Sequence, residues 1–105
     1  ERQLLLKSEY KNVKVSVDTI LYIESIGNYV KLHLADGASV LSKIPLCNIE
    51  EQLPKDEFVR IHRSFVVARN RIAGFTRLEV IIAKSGKSLP VGKKYADSLM
   101  EVMGK

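Results

Sequence analysis

The sequence predicts a mostly β fold with two short helices, and three observations carry that prediction. Apolar and polar residues alternate with period two along much of the chain, the pattern of strands with one face turned inward. Turn-forming pairs such as Asp36-Gly37 and Ser85-Gly86 interrupt these runs at short intervals. A helical period replaces the alternation at only two places, after Pro45 and from Tyr95 onward.

The elements follow in order. VKVSV at 13–17 alternates strictly and reads as a strand with one face inward. Asp18-Thr19 is a turn, after which ILYIE at 20–24 restarts extended structure. Gly27-Asn28 breaks it, a pair that tolerates positive φ. In YVKLHL at 29–34, Val30, Leu32 and Leu34 share one face and Tyr29, Lys31 and His33 the other. Asp36-Gly37 then turns the chain tightly into ASVLS at 38–42. Pro45 suits the first turn of a helix, and Leu46, Ile49 and Leu53 mark its apolar stripe. Pro54 stops it. Extended structure resumes at Phe58, with strands near 65–68, 71–75 and 78–83. Beyond a hairpin turn at Ser85-Gly86 comes a short strand at 88–91. Tyr95, Leu99, Val102 and Met103 mark one face of a C-terminal helix. The total is seven to ten short strands.

A chain of 105 residues supports one domain with a single modest core. Its 46% hydrophobic and 28% charged content is that of a globular protein. No apolar run approaches the roughly 20 residues that span a bilayer, and no signal-peptide pattern opens the chain. The single cysteine, Cys47, excludes an internal disulfide and a multi-cysteine metal site, and fits a reducing cytoplasm. A start at Glu1 without methionine is expected of a domain cut from a longer protein.

The net charge of +5 is unevenly placed. Residues 1–59 carry seven Lys/Arg against nine Asp/Glu, a balance of −2. Residues 60–94 carry nine Lys/Arg and one acid, Glu79, a balance of +8. If these side chains converge, they make a positive surface suited to nucleic acid, an anionic membrane or an acidic protein.

Enzyme chemistry finds little support. Gly86-Lys87-Ser88 has the ending of a phosphate-binding loop, but the glycine required five positions earlier is Ile81, inside a strand. His33 or His62 with Cys47 or Ser64 could pair base and nucleophile, yet no glycine elbow surrounds either nucleophile. Two histidines without ligand-spaced partners hold no metal. No catalytic residue, metal or cofactor is expected.

Nucleic-acid binding fits better. Arginine pairs bidentately with guanine edges or phosphate, and lysine supplies a point charge for the backbone. Three polar stretches on loops qualify: residues 25–29, the His62-Arg63-Ser64 triplet, and Gly92-Lys93-Lys94. Lysines opening a helix oppose its dipole, whereas free N–H groups there attract phosphate. The sequence VRIHRSFVVARNRI at 59–72 threads four arginines and a histidine through apolar residues. Alternation turns Ile61 and Phe65 inward, so Arg60, His62 and Arg63 cannot share a face. The economical solution makes residues 62–64 a bend presenting Arg63 outward. Arg69 and Arg71 then sit at the next bend, as supporting cations.

These residues resemble a known family. FVRIHRSFVV at 58–67 followed by Ile72 resembles the central signature of LytTR DNA-binding domains, the output half of many bacterial response regulators. ILYIES at 20–25 with Asn28-Tyr29-Val30 resembles their earlier motif. Leu89-Pro90-Val91 with Lys93, Lys94, Tyr95 and Leu99 resembles the closing one. The resemblance spans nearly the whole chain, in order. It implies an elongated fold of stacked antiparallel sheets, not a helix-turn-helix. It also implies duplex DNA as partner, read by loops entering successive major grooves, with two copies often on paired direct repeats. DNA contacts carried over by position are Gly27, Asn28, Tyr29, Arg63, Lys93 and Lys94. His62 would shape the bend more than read a base, with His62, Ser64, Arg69 and Arg71 as supporting residues of the DNA contact. Two departures stand out: Ala68 where asparagine is frequent, and Gly92 where a polar or basic residue often caps the final helix. The second shifts the contact to Lys93 and Lys94. The family implies an N-terminal phospho-acceptor domain in a cytoplasmic two-component regulator, with a homodimer forming on DNA or through that domain.

Two other classes compete. A basic interaction module could dock an acidic protein. Single-strand or RNA binding needs exposed aromatics for stacking. There is no tryptophan, and Phe58, Phe65 and Phe75 are placed like core residues, which leaves only some of Tyr10, Tyr22, Tyr29 and Tyr95.

Overall fold

The computed structural model describes residues 2–104. Strands β1 (Gln3–Ser8) and β2 (Lys11–Ser16) form an antiparallel hairpin. A five-stranded sheet has the order β5-β4-β3-β7-β6, built from β3 (Ile20–Ile26), β4 (Tyr29–Leu34), β5 (Ser39–Ser42), β6 (Phe58–His62) and β7 (Phe65–Ala68). A third sheet, order β10-β9-β8, contains β8 (Ile72–Phe75), β9 (Glu79–Ile82) and β10 (Ser88–Pro90). Helix α1 (Leu46–Glu51) connects β5 to β6, and α2 (Ala96–Met103) closes the chain. The fold is mostly β, with stacked antiparallel sheets and two short helices, as the sequence predicts.

The predicted single core is in fact two apolar layers, one on each face of the five-stranded sheet. On one face Ile20, Ile23, Val30, Leu32 and Val66 pack with Leu4, Leu6 and Val15 of the hairpin and Leu46 and Ile49 of α1. On the other, Tyr22, Val59, Ile61 and Val67 pack with Val80, Ile82 and Leu89 of the third sheet and Leu99 of α2. Neighbouring residues of a strand point to opposite faces, so Val66 and Val67 serve different layers. The second layer covers only the β3–β7–β6 side of its face. Phe58, Phe65 and Phe75, expected as core residues, are half-buried and pack against the layers from outside.

Tyr22 and His33 face one another across β3 and β4, with ring centroids 4.1 Å apart and nearly parallel planes. His33 Nε2 lies 3.1 Å from Glu24 Oε1. Burial holds the His33 pKa below its ordinary 6.5; the Glu24 contact works against that shift, while Lys31 and Lys87 reinforce it. The unfolded chain therefore takes up the proton first. Stability is complete above pH 6.5 and falls as the pH drops below it. Urea midpoints measured between pH 7.5 and 5 should decline, and His33→Gln should flatten the decline across that window. An equally steep profile in the variant would assign the effect to another group.

Candidate nucleic-acid interface

Antiparallel pairing decides which turns share an end of the sheet. β7 pairs with β3 as Tyr22↔Val67, Ile23↔Val66 and Glu24↔Phe65. The turn that ends β3 and the turn that opens β7 thus lie side by side. The Ser25 N–H donates to the Ser64 carbonyl at 2.8 Å and ties them together. The third stretch joins through Gly92, whose N–H donates to the Ile61 carbonyl at 2.7 Å. Residues 27–29, Arg63 and residues 92–94 consequently converge on one edge of the molecule. Gly27, Asn28, Tyr29, Arg63, Lys93 and Lys94 fall on that edge, and all are exposed.

Each turn has a local cause. Gly27 adopts φ +59, a left-handed conformation with little steric cost for glycine. At the centre, β6 carries a bulge: Arg60 pairs with Val66 and His62 with Phe65, which leaves Ile61 as the extra residue. The bulge sends Ile61 into the second apolar layer and lets the chain reverse within Arg63 and Ser64. His62 is therefore the last residue of β6 and not part of the bend, a correction to the predicted triplet. Its ring still shapes the reversal, because His62 Nδ1 accepts the Ser64 N–H at 3.0 Å. Gly92 permits a close approach, since a Cβ there would lie 3.0 Å from the Tyr95 ring.

Arg60 is the residue that the sequence did not single out. Its Nε donates to the His62 carbonyl at 2.7 Å, and Nη2 to the Arg63 carbonyl at 2.7 Å. Nη1 donates to Glu50 Oε1 at 2.6 Å. One guanidinium thus fastens the Arg63 turn to helix α1, while its plane approaches Tyr95 at 5.8 Å. Five fixed donors make arginine suited to this task. Arg60 supplies position, and Arg63 is left to supply charge.

Arg69 and Arg71 are not brought to this edge. They lie in the helical turn after β7, at the opposite end of the sheet. Arg69 donates to the Val102 carbonyl at 3.0 Å and Arg71 to the Asp18 carbonyl at 2.8 Å. Arg2 is also engaged there, with Asp18 at 2.8 Å and with Glu57. That pairing raises the Arg2 pKa and holds Glu57 below the usual carboxylate value. The arginines at this far end are occupied. Among the described residues, Arg63, Lys93 and Lys94 take part in no ion pair. The turn between β8 and β9 also reaches the exposed edge: Val91 N–H donates to the Leu78 carbonyl at 3.0 Å, and Arg77 pairs with Asp97 at 2.6 Å.

The molecule measures 40 × 24 × 22 Å. A seven-residue strand covers only about 23 Å, so the long axis runs across the strands and along this edge. The arrangement offers separated polar turns on a rigid support. Among the described residues no group of three or more His, Cys, Asp or Glu side chains could hold a metal ion, and no helix is long and apolar enough to cross a membrane.

Comparison with known proteins agrees with this geometry. Residues 10–104 match the family model of the LytTr DNA-binding domain. The chain is 33% identical over 84 residues to the CO-responsive transcriptional regulator RcoM of Rhodospirillum rubrum, covering 73% of this chain and 35% of that protein. It is 34% identical over 95 residues to the sensory transduction protein LytT of Bacillus subtilis, covering 85% of this chain and 39% of that one. Among solved structures, the LytTr DNA-binding domain of a Bacillus cereus response regulator superposes with a TM-score of 0.81 at 26% identity, covering 100% of this chain and 99% of that one. Matched across nearly its whole length in sequence and across all of it in fold, the chain belongs to the LytTR family, which is a family of DNA-binding domains and not of enzymes.

Proposed function

We propose that this chain reads duplex DNA sequence-specifically as the output domain of a longer, cytoplasmic bacterial response regulator. The observation that carries the reading is the convergence of three exposed polar turns on one edge, with Arg63, Lys93 and Lys94 in no ion pair among the described residues. The 40 Å long axis exceeds the roughly 34 Å repeat of the duplex. Turns on either side of Arg63 enter successive major grooves while Arg63 meets the intervening backbone or base edges. Gly27, Asn28 and Tyr29 make the contact on one side, Lys93 and Lys94 on the other. The chain spans 35% and 39% of the lengths of two relatives, a transcriptional regulator and a sensory transduction protein, which supports a further sensory or receiver region in the whole protein. Two copies on paired direct repeats complete the reading.

Selection of a random duplex pool on the protein, with the enriched duplex then titrated against salt, tests it. Enrichment of a short motif, especially two copies at fixed spacing, is the expected result. A steep salt dependence with no enrichment would indicate a generic basic surface suited to an acidic protein.

Single substitutions assign the parts. Arg63→Ala should weaken the preferred site by about 1–3 kcal/mol and relax base preference there. An unchanged preference in the folded variant removes Arg63 from the readout. Lys93→Ala should weaken all duplexes alike and flatten the slope of log K against log[salt] by about 0.9. A change in base preference at one position would contradict a phosphate role. Arg60→Ala should lower affinity yet leave that slope intact, because its charge is already matched by Glu50. A flattened slope would instead make Arg60 a phosphate contact.

A further inference from the structure

We infer that the tip of the β1–β2 hairpin is a fourth nucleic-acid contact, in which Lys7, Tyr10 and Lys11, with Lys43 beside them, grip the phosphate backbone flanking the recognised site. The inference rests on the DNA-binding reading and extends the edge beyond Gly27, Asn28 and Tyr29.

Topology places the tip on that edge. The pairing Val30↔Ser42 puts the end of β5 level with the start of β4, next to the Gly27 turn. Ser42 Oγ donates to the Lys7 carbonyl at 2.8 Å, which fastens the end of β1 at the same level. Arg2, at the other end of β1, is paired at the far end of the sheet. The hairpin is held rigidly, with six residue pairs in register and Leu4, Leu6 and Val15 buried in the first apolar layer. A groove lined by Lys7, Glu9, Tyr29, Leu41, Ser42 and Lys43 joins the tip to Tyr29.

The tip side chains belong to neither apolar layer. Tyr10 is 99% exposed. Glu9 adopts φ +57, a left-handed conformation that glycine or asparagine takes more readily. Lys7, Lys11 and Lys43 are exposed and, among the described residues, in no ion pair. Glu9 is the single acid among these four charged side chains, leaving a local balance of +2. Lysines on flexible stems carry no directional base code, but they neutralise phosphate, and a tyrosine hydroxyl donates to phosphate oxygen.

The test uses the duplex enriched on the wild-type protein. Lys7→Ala/Lys11→Ala should flatten the slope of log K against log[salt] by about 1.8, two phosphates' worth, with base preference unchanged. Tyr10→Ala should weaken binding with little effect on the slope. Lys14→Ala, an exposed lysine on the same hairpin but away from the tip, serves as the charge control and should leave the slope unaltered. Trimming the duplex from each end in turn should find one flank whose removal makes wild type and double variant bind equally. A wild-type slope in the folded double variant, or an equal loss in Lys14→Ala, overturns the hairpin contact while Arg63→Ala still reports on the reading beneath it. A wild-type protein that binds no duplex overturns both.

Discussion

The antiparallel pairing of β3 with β7 is the constraint from which the rest follows. It joins two halves of the chain about forty residues apart and completes a sheet wide enough to be buried on both faces. It also sets the turn after β3 beside the turn before β7. Burial and presentation therefore come from one set of backbone hydrogen bonds. The hairpin and α1 cover one face of the sheet, the third sheet and α2 cover the other, and the turns at one end are left clear of both layers.

Around that frame the two ends of the sheet handle charge differently. At the far end, arginines are matched to carboxylates or to backbone carbonyls, including the carbonyls that end α2 and precede β3. Such exposed pairs add little stability individually, typically below about 1 kcal/mol. At the presenting end, among the described residues, the cations are in no ion pair apart from the Arg60–Glu50 clamp and the Arg77–Asp97 pair. The chain thus matches its arginines at the far end and, among the described residues, leaves Arg63 without an ion pair on the presenting edge.

Much of this was legible in the sequence, and what was missed has physical causes. Alternation in 29–34 disclosed strand β4 because one side of that strand is buried and the other wet. The Gly27, Gly37 and Gly86 turns were legible because glycine adopts their positive φ at low cost. The two-layer core was not inferred, although the unbroken apolar run Ile20-Leu21-Tyr22-Ile23 is what a doubly buried strand requires. The bulge at Ile61 depends on register across β6 and β7, which composition does not encode. Arg60 looked like one more surface cation because its partners, Glu50 and two turn carbonyls, meet only in the fold. The hairpin lysines were hidden by averaging. Residues 1–59 sum to −2, but which charges become neighbours is decided by the fold and not by position in sequence.

One feature of the presenting edge bears on how such a domain changes over time. Asn28, Arg63, Lys93 and Lys94 are exposed and belong to neither apolar layer, and backbone atoms and Arg60 hold their turns in place. If these are the side chains that meet a target, as proposed, they can be exchanged without disturbing the residues that fold the chain. Mutation is free to retarget such a domain, drifting from one recognised site to another, while stability sets few limits on the path.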